Sequence, residues 1–125
     1  MSKYAIDTSI WLDYFAGNNP NVRPLIERNQ LVTSVIAIAE LADKFFREDQ
    51  SFDRALRFIQ SKAKIVPLTA SLALTAAMLK RNQRKIHPKF GLADAIHVAT
   101  AHEEKAIFVT KDNDCRGINH VQILK

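Results

Sequence analysis

Asp7, Glu40, Asp94 and Asp112 are the residues of this 125-residue chain whose types and settings could do chemistry. Asp7 closes the apolar run KYAI, and Asp112 lies just past the apolar run AIFV. Asp94 sits at the start of GLADAIHVATA, a segment apolar almost all round and therefore expected to be buried. A buried carboxylate needs a reason, and the dipole and free N–H groups of a helix N-terminus supply part of one. Glu40 falls in the second turn of a helix read over VIAIAELADKFFRE. Two carboxylates ~4 Å apart repel by ~4 kcal/mol at an effective dielectric of ~20, so four together call for shared protons or a bound cation. Oxygen ligands alone favour Mg²⁺ or Mn²⁺ over zinc. Such an ion activates water and steadies the charge of an in-line attack on phosphorus. Each acid also has a plainer explanation. Asp7 could be an Asx cap, Glu40 the i,i+4 partner of Lys44, Asp94 a helix-dipole partner and Asp112 a turn residue.

The elements that must carry these acids alternate. KYAI is a short strand, followed by the helix SIWLDYFA, capped by Thr8 or Ser9 and closed by Gly17. A short helix over NVRPLIERN leads to the strand LVTS and to the glutamate helix, capped by Thr33 or Ser34. An amphipathic helix spans 51–62, with Phe52, Leu56 and Ile59 on one face. KIVPL is a strand in which Pro67 marks the end or an edge position. Helix 70–84, the loop IHPKFG, a helix from about Gly91 to Glu104, the strand AIFVT, a turn and the strand VQIL complete the chain. Short apolar strands alternating with helices, without polar alternation, mean a parallel sheet covered on both faces. The expectation is one α/β domain over 1–125, with strand carboxyl ends, and thus Asp7 and Asp112, on one edge. Open α/β sheets place their ligands at that edge.

Composition narrows the partner. There are 18 Lys and Arg against 13 Asp and Glu, for a sequence pI near 9.6. With the four acids set aside, the remaining surface is strongly basic. An acidic, metal-holding pit in a basic surface suits a polyanion laid across it, and the reading is a metal-dependent nuclease. Lys80, Arg81, Arg84, Lys85 and Lys89 are candidate backbone contacts. His97, one turn after Asp94, is read as packing or support. Asp13, Asp43 and Asp114 are read as surface or outer residues, with Asp114 the nearest to joining the site. The single cysteine, Cys115, excludes an internal disulfide and fits a reducing cytosol, and MSKYAID lacks the apolar stretch of a signal peptide. A cytoplasmic location is expected.

The chain resembles the PIN domain, and within it the toxin half of VapBC toxin–antitoxin pairs. The resemblance is carried in order by YAIDTSIWLDYF, TSVIAIAELADKF, LADAIHVATA and AIFVTKD. It implies a three-layer α/β/α fold around a parallel sheet of four to five strands. It also implies Mg²⁺- or Mn²⁺-dependent endoribonuclease activity, with acidic residues at Asp7, Glu40, Asp94 and Asp112. The hydroxyl after the first acid is matched by Thr8 or Ser9, and the one before the last acid by Thr110; these should hold the carboxylates by hydrogen bonds. One departure is the wholly apolar stretch Ile36 to Ala39 ahead of Glu40. The resemblance further implies an RNA substrate, a small antitoxin protein that wraps the toxin and blocks the pit, and pairing of toxins as homodimers.

Two rival readings remain. A haloacid-dehalogenase-like phosphohydrolase would use Asp7 as nucleophile, but needs a second aspartate two residues on, where Ser9 stands. A non-catalytic PIN-like module binding RNA or protein would be favoured by loss of an acid, and all four are present.

Overall fold

The four apolar runs that begin with KYAI, QLVTS, AKIV and IFVT become parallel strands, and VQI adds a fifth. The structure, a computed structural model, describes residues 2–125. Its order is β1 (Lys3–Ile6), α1 (Thr8–Ala16), α2 (Val22–Arg28), β2 (Gln30–Ser34), α3 (Val35–Arg47), α4 (Asp53–Lys62) and β3 (Ala63–Val66). There follow α5 (Ala70–Gln83), α6 (Leu92–Glu103), β4 (Ile107–Thr110), a 3₁₀ turn at Asn113–Cys115 and β5 (Val121–Ile123). The five strands form one sheet in the order β3-β2-β1-β4-β5, each pair parallel. Pro67 stops β3 after Val66, and β3 is also the sheet edge, as a proline without a ladder donor requires.

Successive side chains of a strand face opposite sides, and the two cores divide accordingly. Ala5, Val32 and Phe108 face one side, where they pack with Ala76 of α5 and Ala95, Val98 and Ala99 of α6. Ile6, Leu31 and Val109 face the other, where they meet Ile10 and Trp11 of α1, Ile26 of α2, Leu41 of α3 and Ile59 of α4. This is the three-layer α/β/α arrangement. Trp11 is wholly buried, and its indole N–H donates to the Thr33 hydroxyl at 3.2 Å. That hydroxyl in turn donates to the Ile6 carbonyl at 2.8 Å, which ties α1 to the ends of β1 and β2.

The chain winds one way from β1 through β2 to β3 and the other way to β4 and β5. The strand order therefore reverses between β1 and β4. A crevice opens at such a switch point outside the carboxyl ends of the strands. The Asp7 N–H donates to the Val109 carbonyl at 3.1 Å and so extends the β1–β4 ladder by one step, which fixes Asp7 at the reversal.

Candidate active site

Asp7 is the residue where β1 hands over to α1. It occupies the N-cap position in extended conformation, φ −74° and ψ 157°, without a side-chain capping bond. The cap expected from Thr8 or Ser9 is thus displaced by one residue, because both hydroxyls have other tasks. Ser9 Oγ donates to Asp7 Oδ2 at 2.7 Å, and Thr110 Oγ1 donates to the same oxygen at 2.7 Å. Thr110 is fully buried at the end of β4, so the acid and its support come from adjacent strands. Thr8 Oγ1 instead donates to Glu40 Oε1 at 2.7 Å.

Glu40 is directed to this edge by α3, which begins directly after β2 and is capped by Ser34, whose hydroxyl accepts from the Ile36 N–H at 3.0 Å. It does not pair with Lys44, which bonds Glu48 at 3.1 Å. Glu40 Oε1 lies 2.7 Å from His97 Nε2 as well as from Thr8. The His97 hydrogen bond, reinforced by that of Thr8, holds the Glu40 carboxyl below its ordinary range against the opposing pull of burial. His97 Nε2 also stands 4.0 Å from Asp7 Oδ1. The ring is 3% exposed and stacks on Phe108, and its Nδ1 has no partner among the described residues. This histidine is both packing and support, as its sequence setting suggested. Its one signal was a polar side chain one turn after Asp94 on a helix otherwise apolar there.

Asp94 lies in the first turn of α6, whose N-terminus falls on the same edge because a crossover helix runs back against its strands. The Gly91 N–H donates to Asp94 Oδ2 at 3.0 Å, half of a capping box. Burial raises the Asp94 carboxyl above its ordinary range despite that bond, and the charges of Asp112 and Asp7 push it further the same way. Three of the acids therefore act on one another across the β1–β4 reversal. Asp112 follows β4. Its N–H donates to Thr110 Oγ1 at 3.1 Å, and its Oδ1 accepts from the Asp114 N–H at 2.9 Å, which starts the 3₁₀ turn. Asp114 thus contributes its backbone to Asp112, while its side chain is half-buried nearby. Asp13 is an outer residue, partly buried rather than freely exposed. Its side chain is only 13% exposed and takes Lys111 Nζ at 2.9 Å and Asn19 Nδ2 at 3.2 Å.

The four acids form a row along this edge, each attached by its own hydrogen bonds. Among the described residues, no group of three or more histidine, cysteine, aspartate or glutamate side chains is arranged to hold a metal ion. Each carboxylate is tied through one oxygen: Oδ2 of Asp7, Oε1 of Glu40, Oδ2 of Asp94 and Oδ1 of Asp112. The second oxygen of each makes no hydrogen bond to the described residues. In donor chemistry the row suits a hard divalent ion, with oxygen ligands only and mutual repulsion that a cation would relieve. A concavity of about 850 Å³ between α1, α3 and α4, lined by Phe15, Phe45 and Phe58 together with Lys44, Glu48 and Arg54, includes none of the four acids.

A doubly covered parallel sheet with an acidic row at its switch point defines a class of α/β protein built to work at that edge. The PIN domain family matches residues 4–121, and the chain belongs to it. Solved structures agree on the fold. A toxin–antitoxin complex from Klebsiella pneumoniae is 24% identical, with 95% of each chain covered and a TM-score of 0.78. A VapBC complex from Rickettsia felis, bound to a DNA fragment from its promoter, is 18% identical, with 98% of this chain and 99% of that one covered and a TM-score of 0.78. A VapC toxin from Mycobacterium tuberculosis that cleaves the sarcin–ricin loop is 16% identical, with 95% and 98% covered and a TM-score of 0.70. Comparison with curated proteins returned no match. Among the described residues no helix is long and apolar enough to cross a membrane.

Proposed function

We propose that this single PIN domain is a divalent-metal-dependent endoribonuclease, the toxin of a type II toxin–antitoxin pair. The observation that carries the reading is the row Asp7, Glu40, Asp94 and Asp112 at the sheet's switch point, each acid tied by one oxygen and open at the other. The four would hold Mg²⁺ or Mn²⁺, which when bound activates water and offsets charge on the phosphate. The chain's own residues supply the placement. Ser9 and Thr110 fix the orientation of the Asp7 carboxylate by two bonds to its Oδ2. Thr8 and His97 do the same for Glu40, and the lowered Glu40 carboxyl stays ionised and able to accept hydrogen bonds at neutral pH. Buried Thr110 joins Asp7 to the backbone of Asp112, which ties the end of β1 to the turn after β4.

The basic surface, with exposed Arg81, Arg84, Lys85 and Lys89 close in sequence to α6, supports RNA as the polyanion. The likeness to a toxin–antitoxin complex and to a sarcin–ricin-loop-cleaving toxin supports an antitoxin partner, and homodimeric pairing and a cytoplasmic setting are part of the same proposal. The test is cleavage of RNA by the purified protein with Mg²⁺ or Mn²⁺. Cleavage should stop in EDTA and in Asp7→Asn, and expression without a partner should slow growth in an Asp7-dependent way. Full toxicity of Asp7→Asn at equal protein level would overturn the assignment.

A further inference from the structure

We infer that Gln83 is a positioning residue for the Asp112 end of the site, an inference that rests on the metal-site reading above. Gln83 is the last residue of α5 and is only 8% exposed. A buried amide must find partners, and Gln83 finds them 31 and 33 residues further along the chain. Its Nε2 donates to the carbonyls of Asp114, at 3.3 Å, and of Arg116, at 3.4 Å. His87 Nε2 reaches the same Arg116 carbonyl at 3.1 Å.

The turn so held is the one Asp112 caps. Within it, Asp112 Oδ1 takes the Asp114 N–H, and the Cys115 N–H donates to the Asp112 carbonyl at 3.2 Å. These bonds make the turn internally rigid but do not say where it lies relative to α6. The end of α5 does. Arg84 Nε donates to the Phe90 carbonyl at 2.7 Å and folds residues 84–90 back, with Phe90 wholly buried. The next residue, Gly91, donates its N–H to Asp94. One short stretch, 83–91, therefore grips the Asp112 turn at one end and the Asp94 carboxylate at the other. It sets the spacing of two acids that belong to different elements and repel each other. The same stretch carries exposed Arg84, Lys85 and Lys89, so a polyanion bound there touches the part that spaces the acids.

The test is Mn²⁺ binding, by calorimetry and by the Mn²⁺-induced rise in melting temperature, for wild type, Gln83→Leu, Asp112→Asn and the double variant. Leucine keeps the volume and removes both amide donors. The Mn²⁺ dissociation constant should rise about fivefold in Gln83→Leu, with far-ultraviolet circular dichroism unchanged. In the Asp112→Asn background the same change should have almost no further effect, because the ligand it positions is gone. An unchanged dissociation constant in Gln83→Leu overturns the inference. So does an equal weakening in both backgrounds, which would make Gln83 a general structural residue. Should Gln83→Leu fail to fold, His87→Phe is judged by the same cycle, with about a twofold effect expected. Wild type that binds no Mn²⁺ overturns the metal-site reading itself, and this inference with it.

Discussion

Thr110→Val isolates the hydroxyl that joins the two strands bordering the reversal. Threonine and valine are close in shape, so the change removes the bond to Asp7 Oδ2 at 2.7 Å and the acceptor of the Asp112 N–H at 3.1 Å with little repacking. A hydrogen bond to a charged group is worth ~1.5–3 kcal/mol. Valine's extra methyl in a fully buried place returns up to ~0.8 kcal/mol. Asp7 keeps the Ser9 bond and water can reach the half-buried Asp112 backbone, so the net loss should be about 1–2 kcal/mol. For a domain of this size that lowers the melting temperature by about 5 °C. The assay is thermal unfolding in EDTA, run as a double-mutant cycle with Asp7→Asn, with RNA cleavage measured in parallel. Thr110 and Asp7 should couple by about 1 kcal/mol or more, and cleavage by Thr110→Val should fall at least about tenfold, ~1.4 kcal/mol of barrier. Additivity within ~0.3 kcal/mol would refute the claim that Thr110 holds the Asp7 carboxylate.

Three further outcomes are expected. Asp94→Asn should raise the melting temperature in EDTA, since burial and the charges of Asp112 and Asp7 disfavour the ionised Asp94; the gain should be about 1 kcal/mol after screening. Mn²⁺ should then stabilise wild type much more than this variant, and a loss of stability with an unchanged Mn²⁺ response would make Asp94 a mere helix cap. Burial pushes the Glu104 carboxyl up, but bonds from Lys64 and Lys3 outweigh it and leave the group lowered. Its contribution is thus present above the unfolded value of 4.5 and lost as pH falls below it. Glu104→Gln should cost about 0.5–1 kcal/mol at pH 7, and urea melts should show the two proteins converging as the pH falls progressively below 4.5; a gap that does not narrow counts against the ion pairs. RNA binding by Asp7→Asn should weaken steeply between low and physiological salt as phosphate contacts release counterions, and filter binding that shows a flat response would exclude a phosphate-backbone mode.

What could be read from the amino-acid order, and what could not, follows the range of the forces involved. Alternation of apolar strands and helices is local, and it correctly predicted a parallel sheet covered on both faces, with Pro67 at an edge. The place of Asp7 and Asp112 on one edge followed from strand direction alone. The hydroxyls at Thr8, Ser9 and Thr110 were legible as carboxylate partners, but which hydroxyl meets which acid was not, because Thr110 and Thr8 reach Asp7 and Glu40 across 103 and 32 residues of chain. Thr8 and Ser9 are adjacent in the chain and equally able to cap a helix, yet one turns to Glu40 and the other to Asp7. Only the packing of α3 beside α1 separates them. His97 likewise looks like packing until α3 brings Glu40 within 2.7 Å of it. Gln83 carried no signal at all, since a glutamine at a helix end is ordinarily solvated and its burial is created by the turn that folds over it. The attachments of the remaining two acids are local. Gly91 donates to Asp94 and Asp114 to Asp112. Those donors are backbone N–H groups that any residue could offer. The acids are therefore written in the sequence, whereas the scaffold that spaces them belongs to the fold.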